Sequence, residues 1–186
     1  MRLIILLNSM TILLSILLPT VTFGESCFPL TVGNEWRYLF YYDSDYQYTV
    51  LNKIKGVETM QDGTPAYAFY TYSPIIHESV TYYYDAGTNI YVYQTERDDP
   101  SLFLQLPLEL NKSWSSGDPF SGVSYQVVGQ EEVTVSAGTF QTWKVEVNDV
   151  VFHRFIYFAE GVGQVQVVYD NGSRYELKDY KVAGGE

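Results

Sequence analysis

Tyr82-Tyr83-Tyr84-Asp85-Ala86-Gly87-Thr88-Asn89-Ile90-Tyr91-Val92-Tyr93 decides the class of the fold. Two runs of aromatic and β-branched residues flank Ala86-Gly87-Thr88-Asn89, a segment suited to a tight reversal. The stretch reads as an antiparallel hairpin. On its N-terminal side, Trp36–Tyr42, Tyr46–Lys55 and Ala66–Thr71 alternate with period two and are separated by Asp43-Ser44-Asp45 and Met60-Gln61-Asp62-Gly63, which are turn material. On its C-terminal side the same pattern returns in Val123–Val135, bent near Gly129, and in Thr139–Asn148, Val151–Ala159, Gln164–Tyr169 and Arg174–Lys181. Asn171-Gly172 is a strong hairpin signal before the last strand.

Ten to twelve strands follow, nearly all joined by short turns, and short turns make antiparallel neighbours. A long meander must hide its edges by curling or closing. The expected fold is all-β, a strongly curved sheet or incomplete barrel; a two-sheet sandwich is the alternative. Leu102–Leu110 reads two ways. Its leucines share one parity, which suggests an extended run with Pro107 at an edge or bend. A short helix at Ser101–Gln105 is the other reading.

Two segments echo each other. Phe28-Pro29-Leu30-Thr31-Val32-Gly33-Asn34-Glu35-Trp36 and Leu106-Pro107-Leu108-Glu109-Leu110-Asn111-Lys112-Ser113-Trp114 both run apolar residue, Pro-Leu, turn, Trp. The echo suggests two similar halves, 28–99 and 106–182, within one all-β domain over 25–186.

Residues 1–24 read as an export signal. Arg2 supplies the positive end, Leu3–Leu18 is largely apolar, and Val21-Thr22-Phe23-Gly24 suits peptidase cleavage. The expected location is periplasmic, envelope-associated or extracellular. Cys27 is the only cysteine, so an intrachain disulfide is ruled out. Its place just after the leader makes it a candidate for lipid attachment, although Gly24-Glu25-Ser26 departs from the Leu-small-small pattern which that reaction requires. Otherwise it is a free thiol near a mobile end, open to an intermolecular disulfide.

The net charge is −11 at pH 7, which argues against nucleic acid and against electrostatic docking on anionic lipid. Motifs for catalysis are lacking. The two histidines, His77 and His153, form no metal-binding pattern, no Gly-x-Ser-x-Gly is present, and the acid pairs Asp43/Asp45, Asp98/Asp99 and Glu131/Glu132 lie in turns or side by side. A weak calcium site in an acidic turn stays open, and no cofactor is implied. The informative residue type is tyrosine: thirteen of 18 lie between Tyr38 and Tyr93. Tyr38, Tyr48, Tyr70, Tyr82, Tyr84, Tyr91 and Tyr93 are the candidate ligand-binding rings, since flat phenols present apolar faces at low ordering cost. The alternative is that they are core and cross-strand pairs.

Phe28–Tyr38 resembles the opening of a group of bacterial secreted proteins and lipoproteins that begin Phe/Tyr-Pro-Leu, Val-Gly-Asn, Trp-x-Tyr. Glu132–Val145 is similar to their Val-Pro-Ala-Gly-Thr-Phe hairpin, with Ser136 in place of proline. Tyr157–Val165 is similar to their Tyr-x-Ala-Pro-Gly-Val-Gly segment, with Glu160 in place of proline. The resemblance implies envelope residence and an all-β fold, and no activity. Some members look distantly similar to envelope half-barrels that carry lipids or lipoproteins, which usually have helices that this chain lacks. The expected function is non-enzymatic: binding of a hydrophobic or glycan ligand, or of a protein partner, through an aromatic face. A structural or assembly role in the envelope, with homo-oligomers, is the alternative; a hydrolase is the least supported.

Overall fold

The computed structural model describes residues 26–95, 99–117 and 122–183. The leader, Asp98 and part of the loop after Ser115 lie outside the described residues. Twelve strands are present among those described: β1 Glu35–Tyr42, β2 Asp45–Thr59, β3 Pro65–Ser73, β4 His77–Asp85, β5 Asn89–Tyr93, β6 Ser101–Gln105, β7 Ser113–Ser115, β8 Ser124–Val135, β9 Gly138–Asn148, β10 His153–Ala159, β11 Gly163–Tyr169 and β12 Arg174–Lys181. They form one antiparallel sheet ordered β6-β5-β4-β3-β2-β1-β12-β11-β10-β9-β8-β7. The first and last strands pair from Glu35↔Lys181 to Tyr41↔Arg174. The order is therefore that of an up-and-down barrel with its seam between β6 and β7. Even that seam is pinned. The Leu102 N–H donates to the Ser116 carbonyl (2.8 Å), and Trp114 Nε1 donates to the Phe103 carbonyl (3.2 Å). The curved, nearly closed sheet stands and the two-sheet sandwich does not.

Two local readings are corrected. Ser101–Gln105 is strand β6 rather than helix, because its backbone pairs with β5 from Asn89↔Gln105 to Val92↔Ser101. Val151 and Phe152 precede β10 instead of joining it, because Asp149 Oδ1 accepts both their backbone N–H groups and holds them in a loop. The bend read near Gly129 is a register shift in the β8–β9 ladder between Val127 and Gly129.

Alternation places one set of side chains inside. Trp36 and Tyr38 of β1, Val50 and Ile54 of β2, Val165 and Val167 of β11 and Leu177 of β12 are buried there. The interior is closed at one end by the segment before β1. Phe28 enters beneath the strands and packs on Tyr83 (5.0 Å between ring centroids), Phe103 (5.2 Å) and Phe69 (6.2 Å). Removing such a buried ring costs about 3–5 kcal/mol. Pro29 and Trp36 lie against Gly163, whose φ of +102° is a conformation that favours glycine.

Asn34, 0 % exposed, latches this end. Its Nδ2 donates to the Pro29 carbonyl (2.9 Å) and its Oδ1 accepts from the Ala183 N–H (2.7 Å). Its backbone bonds to Thr31 and Ile54. The second Pro-Leu segment repeats this arrangement. Gly33 N–H to the Ile54 carbonyl is matched by Asn111 N–H to the Val127 carbonyl, and Ile54 N–H to Asn34 by Val127 N–H to Lys112. Asn34→Ala removes two hydrogen bonds worth about 0.5–1.5 kcal/mol each. The expected loss is about 1–3 kcal/mol in urea unfolding; a loss under about 0.5 kcal/mol would show that Asn34 is no latch.

Cys27 is not at a mobile end. It is buried in the same plug, where desolvation and then the nearby Glu160 carboxylate push its thiol up to about 12. A thiol so placed is an inert core group, because the thiolate is the reactive form. Both lipid attachment and an intermolecular disulfide would require the plug to be withdrawn. Native protein at about pH 8 is expected to resist iodoacetamide and to take up one equivalent once unfolded in urea; fast native alkylation would show the plug to be open.

Candidate functional site: an aromatic hollow at the hairpin-tip end

The β1–β2, β3–β4, β9–β10 and β11–β12 connections lie at one end of the sheet, opposite the Phe28 plug. That is a consequence of an up-and-down order in which every neighbour is antiparallel. At this end the interior is not filled. One hollow of about 250 Å³ is walled by Tyr38, Tyr48, Val50, Asn52 and Thr71 among others. An adjoining hollow of about 460 Å³ reaches Phe40, Phe103, Phe152 and Arg154. Gln164, Val167, Tyr169 and Tyr175 line both. The volumes fall in the range of small-molecule sites.

A belt of rings crosses the wall from strand to strand. Tyr48 meets Phe40 at 4.9 Å, Phe40 meets Tyr175 at 4.8 Å, Tyr175 meets Tyr169 at 6.3 Å, and Tyr169 meets Phe152 at 6.0 Å. Register sets this order, since Phe40 stands opposite Tyr48 on β2 and Tyr175 on β12. Burial pushes the phenols of Tyr38 and Tyr175 far above the ordinary tyrosine value, with Tyr83 adding at the first and Tyr48 and Tyr169 at the second. They are neutral at any physiological pH. Tyr38 donates to the Gln164 carbonyl (2.9 Å). Asn52 Oδ1 is buried and has no hydrogen-bond partner among the described residues.

The seven tyrosines singled out from sequence do not share one surface. Tyr38 and Tyr48 line the hollow. Tyr70, Tyr82, Tyr84, Tyr91 and Tyr93 lie on the opposite face with Met60, Ala66 and Ala68, where Tyr82 and Tyr93 are buried. That outer group is largely satisfied within itself. Tyr70 stacks on Tyr72 and Tyr84 on Tyr91, each at 6.3 Å; Lys55 Nζ sits 3.9 Å over Tyr70, and Tyr93 donates to Asp62 Oδ2. Sequence reasoning missed Tyr169, Tyr175 and Phe40. Their signal was the alternation of β1, β11 and β12, which needed the β1–β12 pairing to bring them together.

Arg154, the charged side chain that lines the hollow, is paired, and so are charged groups elsewhere on the sheet. Arg154 NH1 binds Asp149 Oδ2 (2.8 Å), and His153 Nε2 lies 2.8 Å from Glu146 Oε1. Glu131 binds Lys144, and Glu132 accepts from Gln141. Among the described residues no group of three His, Cys, Asp or Glu side chains is placed to hold a metal ion.

The chain is similar to two solved structures. One is described as an exported protein with YmcC-like fold from Bacteroides fragilis NCTC 9343: TM-score 0.56, 13% identity, covering 83% of this chain and 98% of that one. The other is described as a lipoprotein from Parabacteroides distasonis ATCC 8503: TM-score 0.51, 13% identity, covering 85% and 99%. At this identity the likeness shows a shared fold. No family model and no curated protein matches the sequence.

Asp149 organises the lip of the hollow. Burial acts to raise its carboxyl, but the Phe152 and Val151 N–H groups and the Arg154 guanidinium outweigh it and hold the group below its usual value. A depressed carboxylate stabilises the fold above its unfolded pKa of about 3.9 and loses that contribution as pH falls through the lower folded value. Acid is therefore expected to release Val151 and Phe152 first, seen as a fall in their amide protection relative to the unstructured exchange rate below about pH 4. Asp149→Asn should weaken this pH dependence and cost about 1–2 kcal/mol at neutrality; an unaltered acid profile would assign the loosening to another group.

Proposed function

We propose that this chain is a non-enzymatic exported protein that holds a neutral, largely hydrophobic molecule in the aromatic hollow. The observation that carries the reading is the ring belt from Tyr48 to Phe152, which runs along the hollow to its mouth. Unionised phenols and a paired Arg154 favour an uncharged ligand, while Asn52, Thr71 and Gln164 supply polar groups for a single hydroxyl or amide. The leader at 1–24 and the fold shared with an exported protein and a lipoprotein support residence in the envelope or outside it. The buried Cys27 favours an unmodified thiol.

A structural role through strand addition is less well supported. The edge strands β6 and β7 are short and face each other across the seam, so no long open edge is offered.

N-phenyl-1-naphthylamine, an apolar fluorophore with one N–H donor, is the test ligand. The mature chain is expected to bind it at micromolar concentration with a blue-shifted emission. Thr71→Trp, which fills the hollow, should weaken binding at least about tenfold (about 1.4 kcal/mol), and Tyr84→Ala on the outer face should leave it unchanged. The reverse pattern would move the site to the outer tyrosines.

A further inference from the structure

The three most exposed large apolar side chains among the described residues are Val150 (80 %), Val151 (74 %) and Ile75 (69 %). All three sit on hairpin connections at the open end. Ile76 on the same tip as Ile75, Phe152 beside Val151, and Tyr42 and Tyr46 flanking the β1–β2 turn are also strongly exposed. These side chains lie on three of the hairpin tips at the mouth, β1–β2, β3–β4 and β9–β10. Ile76 and Phe152 belong at once to this rim and to the walls of the two hollows, so the apolar surface is continuous from the tips to the interior.

The shape of the rim argues for what covers it. The apolar groups protrude from separate tips around an opening. A rigid protein face resting on them would leave the mouth as a void, which close-packed interfaces do not tolerate. A fluid layer of acyl chains fills both the gaps and the opening. Tyr settles at the membrane–water interface, and Val, Ile and Phe transfer favourably into the hydrocarbon beneath it. Asp43, Asp45, Asp149 and Asp170 share this end with Arg154 and Arg174, in a chain of net charge −11, so anionic headgroups are disfavoured. We infer that the hairpin-tip end docks on a zwitterionic lipid surface and exchanges its ligand there. The inference rests on the reading of the hollow as a binding site and adds the surface that supplies it.

The test uses flotation of the mature chain with phosphatidylcholine vesicles. The expected result is co-flotation, cut at least about tenfold in Ile75→Ser/Val150→Ser/Val151→Ser, whose three positions lie outside the walls of the hollow, with the naphthylamine affinity in vesicle-free buffer unchanged. Vesicles containing phosphatidylglycerol should bind no better than phosphatidylcholine alone. Wild-type protein that stays unbound, a triple variant that floats equally well, or a preference for phosphatidylglycerol would each overturn the inference. So would a wild-type dimer that the triple variant dissolves, since a second copy would then be the occupant. Flotation without naphthylamine binding would remove the hollow as a site and keep the docking surface.

Discussion

One buried amide decides how this chain closes. Asn34 donates to Pro29 and accepts from Ala183, so a single side chain joins the N-terminal plug to the end of the last strand. Closure of β1 on β12 removes two edges that would otherwise be exposed, and it sets the inner register of Trp36, Tyr38 and Phe40 against Leu177 and Tyr175. The plug, the sealed side of the barrel and the ring belt all depend on that pairing.

The second Pro-Leu segment shows what the amide contributes. Lys112 stands where Asn34 does and reaches the equivalent carbonyl, Pro107, at 2.8 Å. An ammonium has three donors and no acceptor, whereas an amide has both. Lys112 therefore cannot also receive a backbone N–H as Asn34 does. The backbone bonds around the two positions are alike, yet one side of the barrel is laddered along its length and the other is pinned at the Leu102–Ser116 and Trp114–Phe103 bonds.

The two ends of the barrel differ because, among the described residues, chain stoppers one of them. Phe28, Cys27 and Leu30 fill the end that receives the N-terminal segment. At the other end no described segment folds inward, and the rings of β1, β2, β11 and β12 line the hollow. At the open end the interior is neutral and aromatic, and the exposed Val150, Val151 and Ile75 lie just beyond it.

The alternation of aromatic and β-branched residues, with turns such as Ala86–Asn89 and Asn171-Gly172, determined that the chain is an antiparallel all-β meander whose sheet must curl. Period two is a local property, so those strands were legible. Local pattern reached less far elsewhere: the leucine parity of Leu102–Leu110 suggested an extended run but left a short helix open until β5 paired with β6, and Val151–Phe152, read as strand, are looped because Asp149 takes their N–H groups. The tyrosines show the same limit. Composition marked them as unusual, but Tyr38 and Tyr48 face the hollow while Tyr82 and Tyr84 face away from Tyr83 and the core. Only the tertiary structure decided which face is concave, because that follows from pairing residue 35 with residue 181, a contact no local pattern encodes.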